Sequence, residues 1–167
     1  MPTVHKIGLG GGCHWCTEAV YQSLKGVIKV EQGFIASSGS NASYSEAVIV
    51  HYDAGAVSFK DLIAIHLHTH KSSVAHSMRS KYRSAIYTFN GKDADFARML
   101  ISELQTDFNE ELITLVLPFK MFKPSDTRFH DYYFSDQERP FCQTYIEPKL
   151  KLLATKFSNK VKDGLAS

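Results

Sequence analysis

Apolar residues along the chain change their spacing several times, and each change predicts an element. His5 to Leu9 is a short apolar run that reads as a strand and stops at Gly10-Gly11-Gly12. From about His14 the apolar positions Trp15, Ala19, Val20 and Leu24 fall at helical spacing, and Gly26 stands where a helix C-terminal glycine belongs. Val27 to Ile35 reads as a second strand, Ala36 to Ser43 as a polar loop, and Glu46 to Asp53 as a third strand alternating through Val48, Val50 and Tyr52. Ser58, with Asp61 three residues on, signals a capped helix with Phe59, Leu62, Ile63 and His66 on one face, ending near His70.

A polar stretch then leads to a strand over Tyr82 to Phe89. A long amphipathic helix follows over Asp93 to Phe108, with Phe96, Met99, Leu100, Leu104 and Phe108 as its inward stripe. Leu112 to Phe119 is the last strand expected. Beyond it come an irregular aromatic segment, FHDYYFSDQERPFCQTY, and a final helix with Ile146, Leu150, Leu153, Phe157 and Val161 on one side. Strands and helices mix without strict alternation, so the pattern favours an α+β sandwich over a doubly wound sheet.

Composition narrows the class. At 167 residues, 44% apolar and 22% charged, the chain has the length and make-up of one globular domain, 1–167. A formal charge of +2 is too small to suggest nucleic-acid binding, and the tail lysines read as a solvated helix surface. No run approaches a membrane span or the core of a signal peptide, so a reducing cytoplasm is the expected compartment and a monomer the expected state. There, three cysteines point to redox, nucleophile or metal chemistry rather than to a disulfide framework.

Two of the three cysteines, Cys13 and Cys16, sit in GGGCHWC at the strand-to-helix turn. A cysteine at the first turn of a helix faces unpaired N–H groups and the positive end of the dipole, which favour thiolate over thiol. Cys13 is thus placed as a nucleophile, and Cys16 lies one helical turn away. Small residues filling core space are the ordinary alternative. A zinc site would need two more ligands, for which His66, His68 and His70 are available, but no finger spacing is present.

These residues carry a resemblance. GGGCHWCTEAVYQSLKGV resembles the active-site segment of the peptide methionine sulfoxide reductases of the A type, whose signature runs glycine, cysteine, phenylalanine, tryptophan at the start of a helix. VEQGFIAS, SEAVIVHYDAGAVSFKDLIAIHLHTH and YRSAIY resemble further family segments in the same order, and YYFSDQERPFCQTYIEPK does so more loosely. The resemblance implies a ferredoxin-like α/β sandwich with a mostly antiparallel sheet and an added C-terminal helix. It implies an enzyme without cofactor or metal that reduces the S epimer of methionine sulfoxide, free or in peptides, and is recycled by thioredoxin or glutaredoxin.

By the same resemblance Cys13 attacks the sulfoxide sulfur, Glu46 protonates its oxygen from a partly buried position that raises its pKa, and Tyr82 hydrogen-bonds that oxygen. Trp15 forms half of a pocket for the S-methyl group. There are departures. His14 replaces the usual phenylalanine of that pocket, Ser77 stands in place of an aspartate, and the loop before Glu46 is short, leaving Tyr44 either to substitute for a second active-site tyrosine or to pack. The tail lacks the cysteines that many members use to resolve the sulfenic acid. Cys16 is the favoured resolver, Cys142 the second, and direct reduction by a small thiol or glutaredoxin the third. Two other functions fit the residues: a CxxC dithiol–disulfide oxidoreductase, and a non-catalytic module that binds sulfoxide or senses oxidants.

Overall fold

The computed structural model describes residues 4–75 and 77–163. Six strands form one sheet in the order β5-β4-β1-β3-β2-β6, where β1 is Val4–Gly10, β2 Val27–Ala36, β3 Ser45–Asp53, β4 Ala85–Thr88, β5 Leu115–Pro118 and β6 Met121–Pro124. All neighbours are antiparallel except β4 and β5, which run parallel across the α3 connection. The helices are α1 (His14–Gln22), α2 (Phe59–Thr69), α3 (Gly91–Leu104), α4 (Tyr132–Ser135) and α5 (Glu147–Lys156). This is the α+β sandwich with a mixed, mostly antiparallel sheet and an added C-terminal helix that the pattern and the resemblance called for.

Strand alternation sorts side chains to two faces. Ile7, Leu9, Val48, Val50 and Ile86 join Leu62, Ile63, Leu100 and Leu153 from the helices in the main core. Ala47, Ile49, Ala85 and Tyr87 point the other way and pack with Ile35, Leu117, Phe119 and Phe122. Arg83 closes that second face by donating to the Tyr87 hydroxyl and to the carbonyls of Ile35 and Ser43. The helix cap formed as its sequence signalled, with Asp61 N–H donating to Ser58 Oγ at 3.0 Å and Ser58 N–H donating to Asp61 Oδ2 at 3.3 Å.

The differences from expectation are local. The fourth strand begins at Ala85 rather than Tyr82, because the residues before it are bonded across a turn to the start of β3. Lys81 O accepts from Glu46 N–H and Ser45 Oγ, and Arg83 N–H donates to that same Ser45 Oγ. The strand expected from Leu112 begins at Leu115. Strand β6 was not foreseen: MFKP is four residues, edge-placed and largely exposed, and its pairing with Gly33–Ala36 of β2 has no alternation to announce it. On α3 the buried side runs through Ala97, Leu100 and Leu104, while Phe96 and Met99 are exposed; Phe96 finds its partner at the rim by stacking on Phe59. Gly26 (φ +85°) does not close α1, which caps at Ser23, but makes the turn into β2. The final helix starts through a π-turn over Cys142–Ile146 and ends at Lys156, and Val161 instead bridges Leu24.

Candidate active site

Sheet topology builds the site. Because β1 is antiparallel to both neighbours, its C-terminal end meets the starts of β3 and β4, with Gly10 opposite Ala47 on one side and Ala85 on the other. Glu46 and Tyr82, distant in sequence, therefore arrive beside the turn that carries Cys13. The glycines of that turn serve packing: a Cβ on Gly10 would lie 2.9 Å from Glu46 O, and one on Gly11 would collide with the His70 ring. Gly12 faces open space. Cys13 is the N-cap residue of α1, and its carbonyl accepts from Cys16 N–H (3.1 Å) and Thr17 N–H (3.3 Å).

Glu46 is buried, at 7% exposure, against the residue that follows Cys13. The His14 backbone N–H donates to its Oε1 at 3.2 Å, and His14 Nε2 lies 3.5 Å from the same oxygen. His14 is itself buried, and its Nδ1–H donates to Gly33 O at 2.7 Å, which sets the tautomer and turns Nε2 toward Glu46. Burial holds the His14 pKa below its ordinary value. The ring meets Phe34 edge-on at 5.1 Å. Its polar edges thus serve Gly33 and Glu46.

Lys81 is a site residue that reading the sequence missed. Its ammonium lies 3.8 Å from Glu46 Oε2 and 5.1 Å from the centre of the Tyr82 ring. The neighbouring Tyr82 phenol, aided by the charge of Glu46, raises its pKa. Tyr82 is half-buried beside it. Tyr44 is exposed, with its hydroxyl directed to Met121 Sδ at 3.9 Å. The Ser77 side chain lies outside what the structure describes.

Trp15 is gathered into an aromatic wall. Tyr132 stacks on the indole (4.1 Å, 10°), Phe141 meets it edge-on at 5.2 Å, and Phe129 lies at 5.4 Å. Glu18 anchors this segment: its buried carboxylate accepts from Asp131 N–H, Tyr132 N–H and Gln32 Nε2. Burial raises the Glu18 pKa against those three donors. A charged residue inside the apolar stripe of α1, one turn after His14, was the available signal for it.

All three cysteines are free thiols. Cys13 and Cys16 are hydrogen-bonded to each other, and Cys16 and Cys142 share a small apolar cluster with Ala19, Tyr133 and Ile146 against which Cys13 packs. The expected lowering of the Cys13 pKa by the helix terminus does not appear. Donation to the Cys16 sulfur and burial push Cys13 up, while the same hydrogen bond, with the charge of Lys149 adding, brings Cys16 down. The two thiols are coupled, so ionisation of one opposes ionisation of the other. Cys142 donates to Asp136 O at 3.6 Å, and burial raises its pKa. Of the three histidines considered for zinc, the His66 and His70 rings meet at 4.2 Å, tilted by 35°, behind the glycine turn, whereas His68 leaves to stack on Phe108.

Two thiols in contact at a helix start, beside a buried carboxyl and inside an α+β sandwich, define a thiol-based oxidoreductase. The particular family follows from comparison with known proteins. The family model described as peptide methionine sulfoxide reductase matches residues 5–161, and the chain belongs to that family. It is 30% identical to the peptide methionine sulfoxide reductase MsrA of Saccharolobus solfataricus, over 92% of this chain and 95% of that one. Mxr1 of Saccharomyces cerevisiae in reduced form shares the fold with a TM-score of 0.75 at 18% identity, covering 85% of this chain and 91% of that one. Mxr1 in complex with Trx2 superposes with a TM-score of 0.60 at 19% identity, over 77% and 84% of the two chains. Among the described residues no helix is long and apolar enough to cross a membrane.

Proposed function

We propose that the chain reduces the S epimer of methionine sulfoxide, free or within polypeptides, to methionine, with Cys13 as nucleophile and Glu46 as acid. The observation that carries this reading is the buried Glu46 carboxyl held by the N–H of the residue next to Cys13. Sulfoxide oxygen leaves poorly until protonated, and a carboxyl fixed at that point is within reach of an oxygen on a sulfur under attack by Cys13. As Cys13 attacks, its proton passes to Cys16, which releases it to solvent before the disulfide forms. Glu46 protonates the oxygen, methionine departs with two added electrons, and Cys13 is left as a sulfenic acid. Tyr82 and Lys81 donate to the developing oxygen charge. The indole of Trp15, backed by Tyr132, offers the apolar wall for the methyl group.

Cys16 then condenses with the sulfenic acid, its contact with Cys13 favouring it over Cys142. A thioredoxin-type protein reduces the disulfide, a reading supported by the Trx2 complex of the yeast relative. Incubation of the reduced protein with dithiothreitol and each epimer of a blocked methionine sulfoxide tests the function. Turnover of the S epimer alone is expected, and its absence overturns the reading. Insulin reduction without sulfoxide turnover would instead mark a general dithiol oxidoreductase. Sulfoxide binding with no methionine after one turnover would mark a binding or sensing module.

A further inference from the structure

Behind the cysteine turn lies an enclosed cavity of about 20 Å³, lined by Gly12, Cys13, Cys16, His66, His70 and Lys149 among others. Its polar groups are unusual for so small a space. His66 is buried at 2% exposure; its Nε2–H donates to Gly10 O at 2.7 Å, and its Nδ1 has no partner among the described residues. His70 Nε2 is taken by Ser84 Oγ at 2.7 Å. Burial keeps both rings neutral near pH 7, drawing His66 down to about 4 and His70 well below its ordinary value. Lys149 is the one lysine or arginine lining the cavity among the described residues.

Lys149 stands in α5, just past the π-turn that joins it to the helical residues before it. Its Nζ reaches inward and donates to Thr69 O at 2.5 Å, which uses one of three protons and satisfies no charge. The groups facing it are the thiols of Cys13 and Cys16 on α1, His66 and His70 on and after α2, and Lys71. Glu46 on β3 and Cys142 on the π-turn also act on these sulfurs, and the Arg79 guanidinium, which donates to Gly11 O at 2.9 Å, acts on the two imidazoles. A thiolate is thus the counter-ion this ammonium has available.

We propose that Lys149 is a positioning residue for the disulfide-forming step, holding Cys16 as the ionised sulfur that attacks the Cys13 sulfenic acid. This rests on the sulfoxide-reductase reading of Cys13 and names the group that arms its resolving partner. In that step the Cys16 thiolate forms the S–S bond as the S–O bond of the sulfenic acid breaks. The departing hydroxide takes a proton from solvent and leaves as water; Cys16 is oxidised and the Cys13 sulfur reduced. Lys149 supplies charge, not atoms; burial lowers its pKa, and the charge of the two sulfurs acts in the opposite direction.

The test compares wild type with Lys149→Gln, which keeps a donor for Thr69 O, and Lys149→Arg, which keeps the charge. Thiolate absorbance of the reduced protein is titrated against pH, and sulfenic acid is trapped with dimedone after one turnover without reductant. Loss of the charge is expected to raise the apparent pKa of the first ionisation by about one unit. It should slow sulfenic acid conversion to disulfide near neutral pH by about tenfold, with accumulation of the dimedone adduct. Arginine should restore both. Titration and disulfide formation unchanged in Lys149→Gln would overturn the assignment. If no protein forms methionine, the sulfoxide reading fails, and the titration alone decides whether Lys149 polarises the thiols.

Discussion

The two sides of Cys13 are built from different material. In front, Glu46, His14, Lys81 and Tyr82 form a polar group open at Lys81, with a carboxyl held by a backbone N–H. Behind, Cys16 and Cys142 share an apolar cluster, and Cys16 also lines a cavity with Lys149 and two neutral imidazoles on which the Arg79 guanidinium acts as well. Front groups can move a proton to an oxygen, and rear groups can furnish a second sulfur. The difference teaches that burial by itself does not ready a thiol. Cys16 and Cys142 are both buried in one cluster, yet Cys142 faces Asp136 O and the carboxylates of Asp136 and Glu147, relieved only by Arg139, whereas Cys16 has a hydrogen-bonding thiol and Lys149.

Breaking the front should cost most. Glu46→Gln keeps an acceptor for the His14 N–H but removes the proton, so methionine formation in a single turnover should fall by about 10²-fold or more, measured by rapid quench. Breaking the rear should spare that step. Cys16→Ser should still yield one equivalent of methionine per chain and then lose thioredoxin-supported turnover by about tenfold or more, whereas Cys142→Ser should recycle like wild type. Equal loss in both serine variants would erase the contrast between the two cysteines.

His14→Phe sharpens the front. Its imidazole is neutral near pH 7 because burial lowers its pKa from 6.5. Removing it should delete an inflection of kcat/KM below pH 6.5 while changing the rate at neutral pH only several-fold. The rear shows itself in acid stability. His66 binds its proton near 6.5 when unfolded and near 4 when folded, so the unfolded chain holds more protons in between and stability falls as pH drops through that window. From His66 the loss at pH 4 should be about 3 kcal/mol relative to neutral pH, read by urea unfolding, and much of it should vanish in His66→Phe.

Local chemistry in the chain determined the strand-to-helix turn with Cys13 at its N-cap, the Ser58–Asp61 cap, the alternation that separates two sheet faces, and the ordered motifs that name the family. These need only neighbours within a turn or a strand. Contacts between distant segments decided the rest. Lys81 reaches Glu46 because β1 brings the starts of β3 and β4 together, and Lys149 lines one cavity with Cys16 because α5 packs against α1. The coupling of the two thiols and their burial likewise oppose the ionisation of Cys13 that the helix terminus alone would favour. Propensity and periodicity act over a few residues, whereas the electrostatics of a buried group depends on whatever charge folding places within a few ångströms, at any separation along the chain.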